Sequence, residues 1–381
     1  MAITINTTPL AINPAYSAIN WNVTSNDVTI KAIRADIYIN GSYSTTVDAV
    51  QQLGSTSIFN VDVRKIMQSQ LVSELRTNIT TFQITNAVTS ACSVKIRLYE
   101  ILLTAGVYTT TWAAGGLGTG YVESSTYNVV NMSKQPYETL TDWTVDSSAK
   151  KLLTLRTRDS RIPRGVPFQI GFLSASTNLY CNIEGFDKNG ASDGGHTSTA
   201  LASATYGKAI IEIPASIFAT STIKYMTVVL KNGSGALSET YRFKIEDYVT
   251  KYPVFIQNHL GDFDHFNFGA KIEKNVNTSN QRITKPLSAT PNTYDAGTII
   301  VQSNVNERLK VTTAALSAVE LTFLQEFIKN HSVSYYWSAA NAFYRKHIVS
   351  HSTKVEDSEE LINTLSLTFE PSNDHIAQKG D

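Results

Sequence analysis

The segment Gly261-Asp262-Phe263-Asp264-His265-Phe266 places metal-capable side chains at close spacing in the 381-residue chain. Two carboxylates beside an imidazole can bind a divalent cation, but one short segment supplies too few ligands for a complete site. In a strand, Asp262 and Asp264 would share one face, and Phe263 would lie on the other face with His265. The spacing therefore favours a turn that leads into a strand over a metal site.

The other histidines form neither HExxH nor another zinc-binding spacing. His347 and His351 are four residues apart, but the β-branched residues between them favour a strand over a helix. Residues four apart on a regular strand share a face. We therefore expect a solvated histidine pair on one strand face, in preference to a metal-binding pair.

The motifs of common catalytic sites are absent from the sequence. There is no GxSxG elbow, and the glycine-rich segment 115–120 matches neither GxGxxG nor GxxxxGK[ST], so it predicts a solvated loop. The adjacent carboxylates Glu359 and Glu360 lie in a charged segment typical of a solvated turn. A glycosidase dyad built from distant residues stays open. The sequence predicts a protein that is not an enzyme, with no catalytic, cofactor-binding or metal-binding residues.

Aromatic residues cluster at Tyr335-Tyr336-Trp337 and Phe343-Tyr344, and a further tryptophan lies at Trp112. Such side chains can form a sugar-binding platform or a protein interface, because large amphipathic rings supply contact area at low entropy cost. Sheet cores and cross-strand pairs account for most aromatics in β-rich proteins. We favour the structural role and keep surface recognition as the alternative.

The two cysteines, Cys92 and Cys181, lie far apart in different predicted domains. Two such residues do not form a disulfide framework and cannot by themselves complete a metal site. We predict that both are small buried apolar residues.

The composition predicts which elements must position these residues. Charged residues make up 17% of the chain, below the roughly 25% of average soluble proteins. The polarity comes from Thr, Ser and Asn, which together with 18 Tyr and 15 Phe favour strands and turns. Thirty-two basic residues balance thirty-two acidic ones, so no net field favours nucleic acid or an anionic membrane as a partner.

Residues 1–133 show the signals of a β-sandwich-like domain. The alternating strand 35–39 is followed by Asn40-Gly41, the dipeptide that best accepts the two positive φ angles of a type I′ hairpin turn. In the strand 94–98, the apolar residues share one face and the basic residues the other. One short helix is predicted from apolar residues at helical spacing after a cap at Asn60 or Asp62; these are Val63, Ile66, Met67 and Leu71.

Residues 134–250 predict a second antiparallel sandwich, because several short strands alternate with turn signals. The polar stretch 131–136 marks the boundary before it. Its last strand, 241–246, alternates strictly, so Tyr241, Phe243 and Ile245 should face a core.

Residues 251–381 differ in character because they hold the strongest helix signal. Ser317-Ala318-Val319-Glu320 is a capping box, followed by an apolar stripe of Leu321, Leu324, Phe327 and Ile328. An alternating strand over 365–369 is stopped by Pro371, and a polar tail comes after it. The predicted fold is therefore mainly β: two antiparallel β-sandwich-like modules, then an α+β module with one amphipathic helix.

Several stretches resemble virion proteins of tailed bacteriophages, especially those of Bacteroidetes-type hosts. The stretches occur in all three predicted domains: residues 13–21, Ala35-Asp36-Ile37-Tyr38-Ile39-Asn40-Gly41, Phe59-Asn60-Val61-Asp62-Val63, residues 238–243, 255–268 and 361–369. This resemblance implies a tail, tail-tip or baseplate structural protein that acts as a ring or adaptor. It would contact copies of itself and neighbouring virion proteins.

The first residues lack the basic and apolar regions of a signal peptide. The sequence also contains no run of about 18 apolar residues, the length needed to span a bilayer. We therefore expect assembly in the host cytoplasm and localisation in the virion, with no membrane insertion. The alternative function is a carbohydrate- or cell-surface-binding adhesin, in which exposed aromatics and polar loops contact glycan.

Overall fold

A computed structural model describes residues 3–26, 30–50, 58–104, 107–111, 121–133, 139–146, 150–157, 159–248, 252–284, 298–329, 334–337, 343–354, 363–371 and 375–377. The described chain forms five sheets of three, seven, seven, three and eight strands, with few helices. The prediction of a mainly β fold is confirmed. None of the helices in these ranges is both long and apolar enough to cross a lipid bilayer.

The first part of the chain is a sandwich of two sheets. The three-stranded sheet β1-β3-β6 packs on a seven-stranded sheet in the order β2-β11-β8-β4-β5, with β9 and β10 added to β8. Trp21 and Phe59 from the smaller sheet meet Ile37 and Ile96 from the larger one in a common core. The elements are β1 (Ile3–Thr7), β2 (Ile12–Pro14), β3 (Asn20–Ser25), β4 (Ile30–Ile39), β5 (Ser42–Val50), β6 (Ile58–Asp62), α1 (Arg64–Gln70), β7 (Gln83–Asn86), β8 (Ala91–Thr104), β9 (Val107–Thr111), β10 (Val122–Glu123) and β11 (Tyr127–Val130).

The hairpin and the short helix predicted for this part are confirmed, but the N-cap of the helix is Val63 and not Asn60 or Asp62. Asn40 and Gly41 have φ angles of 51° and 80° in the hairpin between β4 and β5. The short helix α1 begins after Val63, and the Asp62 carboxylate accepts the backbone N–H of Arg64 at 2.8 Å. Asp62 therefore satisfies one free amide of the first turn from just outside the helix.

The middle part is a second sandwich. A seven-stranded sheet in the order β12-β20-β18-β14-β15, with β16 on β14 and β19 on β18, packs on the three-stranded sheet β13-β17-β7. Strand β20 alternates as predicted, with Tyr241, Phe243 and Ile245 buried. The elements are α2 (Leu140–Trp143), β12 (Ser160–Pro163), β13 (Phe168–Leu173), β14 (Thr177–Phe186), β15 (Ser192–Thr197), β16 (Leu201–Ser203), β17 (Lys208–Ile213), β18 (Tyr225–Asn232), β19 (Gly235–Ala236) and β20 (Tyr241–Glu246), with 3₁₀ turns at Thr205–Gly207 and Ala215–Phe218.

Two features of these sandwiches depart from a simple antiparallel pattern. Each seven-stranded sheet contains one parallel pair, β2 with β11 and β12 with β20. Strand β7 lies early in the chain, yet it pairs with β17 and places Ile84 in the middle core. The middle sandwich is therefore completed by a segment from the first 133 residues, and the division at 133/134 and 250/251 stays a prediction.

The last part is one eight-stranded sheet with a helix packed on it. The strand order is β22-β21-β25-β26-β27-β24-β23, with β28 on β24. Leu321 and Leu324 of the helix meet Leu365, Leu367 and Phe369 of the sheet in one core. The elements are β21 (Pro253–Gln257), β22 (Phe263–Asn267), β23 (Lys271–Thr284), β24 (Thr298–Thr312), α3 (Ala318–Lys329), β25 (Ser334–Trp337), β26 (Phe343–Lys354), β27 (Thr364–Pro371) and β28 (His375–Ala377).

The capping box at the start of α3 is confirmed, because the Ser317 N–H donates to the Glu320 carboxylate at 2.9 Å and the Glu320 N–H donates to Ser317 Oγ at 3.3 Å. The prediction of a polar tail after Pro371 is wrong for residues 375–377. They form β28, which pairs with residues 303–305 of β24. Strand β24 has backbone groups that pair with residues 375–377, and the local sequence of these three residues does not reveal that partner.

Candidate interaction surfaces and the junction that positions them

The turn between β21 and β22 is the point where the three parts of the chain meet. Within the turn, Asn258 and Asp262 bond each other, since the Asn258 N–H donates to the Asp262 carbonyl at 2.8 Å and the Asp262 N–H donates to Asn258 Oδ1 at 3.1 Å. Leu260 packs in an apolar cluster with residues of both sandwiches, including Val130 and Leu173. We call residues 258–264, with the side chains that bond them, the junction.

Gly261 makes the closest approach in the junction. Its φ is +79°, and a Cβ atom built on it would lie 1.5 Å from the carbonyl oxygen of Asn131. Its own carbonyl accepts hydrogen bonds from Lys208 Nζ at 2.9 Å and Ser73 Oγ at 3.1 Å. Only glycine combines this backbone conformation with this contact. One peptide thus joins the last part of the chain to both sandwiches.

Asp262 and Lys208 are oppositely charged groups that are almost fully buried beside this peptide. The Asp262 carboxylate accepts hydrogen bonds from the Gln169 side chain at 2.6 Å and from the backbone N–H of Gly171. Burial raises the pKa of Asp262 to about 6, although Lys208 and these donors lower it. Burial lowers the pKa of Lys208 to about 8, against Asp262 and Glu74. Both shifts express the cost of placing charge away from water.

Asp264 forms the second buried carboxylate site of the junction. It accepts hydrogen bonds from Thr154 Oγ1 at 2.5 Å, from the backbone N–H of Leu155 at 2.9 Å and from Asn258 Nδ2 at 2.8 Å. The Arg156 guanidinium lies 3.8 Å from Asp264 and 5.7 Å from the centre of the Phe323 ring on α3. Asp264 therefore connects the segment after α2 to the sheet and helix of the last part.

His265 is buried between aromatic rings. Its ring lies 4.9 Å from that of Phe255 and 5.3 Å from that of Phe168 in the middle sandwich. Burial, followed by the positive charge of Arg156, holds the pKa of His265 well below its usual 6.5. The imidazole is neutral at physiological pH and packs as an aromatic side chain.

The structure thus places the predicted metal-capable cluster in a turn that leads into a strand, as the sequence favoured. The two aspartates and His265 are occupied by contacts within the protein. In the described ranges, no three His, Cys, Asp or Glu side chains group closely enough to hold a metal ion. Sequence reasoning missed Lys208, Gln169 and Arg156. The signal for Lys208 and Gln169 was a polar residue in a short strand of mostly apolar residues, and Arg156 has no such signal.

Other predicted candidates have different outcomes. The backbone of His347 and His351 lies in strand β26, as predicted, and this strand has a register shift between Ile348 and Ser350. The two imidazole side chains lie outside the described part of the structure, so the solvated pair on one face stays a prediction. Both cysteines are buried as predicted, and burial raises the pKa of each thiol, that of Cys92 to about 11.

Several remaining candidates lie outside the described residues: the glycine-rich loop at 115–120, Trp112, and Glu359-Glu360. The backbone of Tyr335-Tyr336-Trp337 and Phe343-Tyr344 lies in β25 and β26, which pair with each other. The side chains of these five aromatic residues lie outside the described part of the structure.

The solvent face of the first sandwich carries an ordered aromatic surface that we call the tyrosine platform. Arg97 lies between two rings, 4.4 Å from the centre of Tyr38 and 4.6 Å from that of Tyr121. It also donates to the Tyr38 hydroxyl and to the Glu123 carboxylate, both at 2.8 Å. Tyr43 packs edge-on against Tyr38 and is 59% exposed. Tyrosine and arginine are among the residue types enriched at interface hot spots.

The second exposed feature is a two-stranded ribbon formed by β23 and β24. The strands pair over their whole length, from Lys271 opposite Thr312 to Thr284 opposite Thr298. Among the described strands, residues 309–312 of β24 pair with β27, and residues 303–305 pair with β28. Much of the ribbon therefore extends beyond the sheet, and β23 forms its outer edge.

A shallow groove of about 540 Å³ lies between the first sandwich, α2 and the middle sandwich. Its described lining is largely small or apolar, and Asp146 is the single ionisable side chain in it. This lining does not resemble a site built for acid–base chemistry, which pairs titratable groups.

No protein-family model matches the chain, and no curated protein matches it. Solved structures with weak likeness include fibronectin(III)-like modules of Clostridium thermocellum CbhA, with 11% identity, 65% of this chain and 94% of that chain covered, and a TM-score of 0.17. A marsupial T cell receptor matches with 9% identity, 82% and 96% covered, and a TM-score of 0.19. At these TM-scores the likenesses carry no argument about fold or function.

Proposed function

We propose that this protein is a structural component of a tailed-phage virion, acting as a tail, tail-tip or baseplate ring or adaptor through protein–protein contacts. The resemblance of residues 13–21, 35–41 and 255–268 to such proteins supports the proposal. The observation that carries it is the junction, where one buried turn bonds residues from all three parts of the chain.

This arrangement suits an architectural role. Domains joined only by flexible linkers move relative to each other. Here Gly261, Asp262 and Asp264 tie the last sheet to Lys208, Gln169 and Thr154 through hydrogen bonds that solvent does not reach. A ring or adaptor must hold its binding surfaces at fixed spacing, and a buried polar network provides this because each broken bond leaves an unsatisfied group.

The proposal is tested on purified particles of the phage that encodes the chain. Quantitative mass spectrometry should find the protein at a fixed small copy number per particle, and cryo-electron microscopy should place it in the tail. Detergent-free release of tails should keep it bound. Particles that lack the chain, together with purified protein that fails to bind any virion protein, would rule out the architectural role.

The second candidate function is a glycan-binding adhesin, which the tyrosine platform favours. Tyr43 exposes a ring at the surface, and the carboxylates of Asp36 and Glu123 lie on the same sheet face. Sugars bind where an exposed ring stacks against their apolar face and polar groups accept hydroxyl hydrogen bonds. On this proposal, the ligand is a host-surface glycan.

A glycan array separates the two candidates. A selective signal that is lost in Tyr43→Ala, while Tyr16→Ala leaves it intact, supports the adhesin. Tyr16 is the matched control because it is 51% exposed and does not belong to the tyrosine platform. No selective glycan signal from correctly folded protein counts against the adhesin and leaves the architectural role in place.

A further inference from the structure

We propose that copies of this chain join head to tail, with the outer edge of β23 in one copy pairing with the outer edge of β15 in its neighbour. The inference deepens the proposed architectural role and rests on it. It assigns the two surfaces through which the copies would assemble.

The first surface is the free edge of β23. Among the described strands, β23 pairs with β24 alone, and its 14 residues span roughly 48 Å. The described side chains from Lys274 to Thr284 are all exposed. On the side away from β24, alternate backbone N–H and C=O groups of this edge pair with no described strand, and soluble proteins usually shorten, bend or cover such edges. A long open edge is the structure to which another strand adds.

The same strand carries apolar residues that its own sheet does not cover. Ile272 lies opposite Val311, whose side chain is fully buried beneath α3. Ile272 and Val276 share this face, because residues two apart on a strand point the same way. They are 40% and 52% exposed. The sheet face that packs under α3 thus extends onto the ribbon, where its apolar side chains are exposed. Exposed apolar patches of this kind are typical of binding surfaces.

The second surface is the free edge of β15 in the middle sandwich. In the described part of the chain, β15 pairs with β14 alone, and every residue from Ser192 to Thr197 is exposed. Gly194 and Gly195 lie in its centre, and a Cβ atom on Gly194 would meet nothing within 4 Å. Glycine within a strand permits close approach of another backbone. The partner side chains Ile272 and Val276 would lie over this gap.

Charge favours β15 over β5, the outer strand of the seven-stranded sheet in the first sandwich. Strand β23 holds three basic residues and one acidic residue, for a net charge of +2. The β14–β15 hairpin from Glu184 to Thr197 holds three acidic residues and one basic residue, for a net charge of −2. The open strand β5 carries a single charged residue, Asp48, which is paired with Arg34 in the same chain. Opposite net charge steers association and selects the register of docking.

The two surfaces are different patches of one chain, so each copy can bind one neighbour through each. Such heterologous contacts close into a ring when the rotation between copies closes, and otherwise build a filament. The pairing predicts assembly that weakens at high salt, because the exposed charges are screened within about 10 Å at 0.1 M.

Charge reversal in the full-length protein tests the pairing. One variant carries Lys274→Glu and Arg282→Glu on β23, and the other carries Glu184→Lys and Asp193→Lys on the hairpin. Sedimentation velocity should show that each variant alone assembles about tenfold more weakly than the wild type, because its two surfaces then carry the same charge. An equimolar mixture of the two variants should restore assembly, since β23 of each variant is opposite in charge to the hairpin of the other. The four substitutions combined in one chain should restore it. The control Lys65→Glu with Lys151→Glu changes exposed charges elsewhere and should assemble normally.

A cysteine pair gives direct proof of contact. Val276→Cys and Gly195→Cys in one chain should form disulfides between copies under oxidation, while each single variant forms none, because Cys92 and Cys181 are buried. Wild-type assembly that is unchanged by both reversals and gives no such disulfide overturns the pairing. A wild-type protein that stays monomeric also overturns it. The architectural role is tested separately, by the presence of the chain in particles.

Discussion

Residues 260–268 and 271–284 are neighbours in the chain, and both are rich in polar side chains, yet their surroundings are opposite. Every residue from Leu260 to Phe268 is buried, whereas the described side chains of β23 are exposed or, for Glu273, partly exposed. The change takes place over Gly269 and Ala270. In the first segment, aspartate and asparagine bond groups from distant parts of the same chain. In the second segment, similar side chains face water.

The difference separates a buried hydrogen-bond network from an exposed strand edge. A buried hydrogen bond to a charged group is costly to break, since the group left behind is neither solvated nor paired. An exposed edge costs little to leave open, because water satisfies its amides and carbonyls. We therefore expect substitutions in the junction to affect folding, and substitutions on the ribbon to affect association.

The largest effect should come from Gly261→Ala. The new methyl group would overlap the Asn131 carbonyl, and alanine resists a positive φ, so we expect a loss of about 4 kcal/mol or more in the free energy of unfolding. Urea denaturation measures it. The matched control is Gly190→Ala, which has a similar φ of +84° but no atom within 4 Å of the added Cβ. It should lose only about 1 kcal/mol. Equal losses in the two variants would mean that the junction contact is unimportant.

Asp264→Ala should rank next, with a loss of about 3 kcal/mol. The substitution leaves the donors Thr154, Leu155 and Asn258 and the buried Arg156 without their common acceptor. Asp48→Ala is the comparison at the surface, because Asp48 pairs with Arg34 where both side chains are more than 40% exposed. It should cost under about 1 kcal/mol. A loss at Asp264 no larger than at Asp48 would contradict the role assigned to the junction.

The pH dependence of Asp262 should be smaller and of a defined sign. Its folded pKa of about 6 lies above the ordinary value of 3.8, so the folded state holds the proton more tightly than the unfolded state. Its contribution is fully present below about pH 4 and is lost as the pH rises through 6. Compared with Asp262→Asn, which does not titrate, the wild type should lose about 2 to 3 kcal/mol between pH 4 and 7. Thermal unfolding of the wild type and Asp262→Asn from pH 4 to 7 measures the difference in their free energies of unfolding. A difference that stays constant with pH would exclude the raised pKa of Asp262.

The smallest effect separates two valines on the same face of one ladder. Val311→Ala removes methyl groups that are fully buried and should cost about 2 kcal/mol. Val276→Ala changes a side chain that is 52% exposed and should cost under about 0.5 kcal/mol. The association constant should respond in the opposite order, because only Val276 lies on the proposed contact surface. Sedimentation velocity measures association of both variants, and urea denaturation measures their stability. A larger loss of association in Val311→Ala than in Val276→Ala would contradict this prediction.

Much of the local structure could be predicted from the sequence. The hairpin at Asn40-Gly41, the alternating strands near Val94 and Tyr241, and the capping box at Ser317 all depend on residues within a few positions of each other. Backbone preferences and side-chain periodicity act over the same short distance, so each signal was complete in the sequence. The mainly β fold results from the sum of these signals.

The junction, the ribbon and the closure of the middle sandwich were decided by tertiary structure. The sequence around Asp262 shows metal-capable side chains in a turn, but whether such groups are buried depends on Lys208, Gln169 and Asn131, which are distant in the chain. Strand β7 likewise finds its partner β17 more than a hundred residues away. Burial and pairing are properties of the assembled chain, since they depend on which remote surface excludes water. For this reason the sequence alone determined the local turns, caps and alternating strands, and only the fold decided which polar residues are buried and which face solvent.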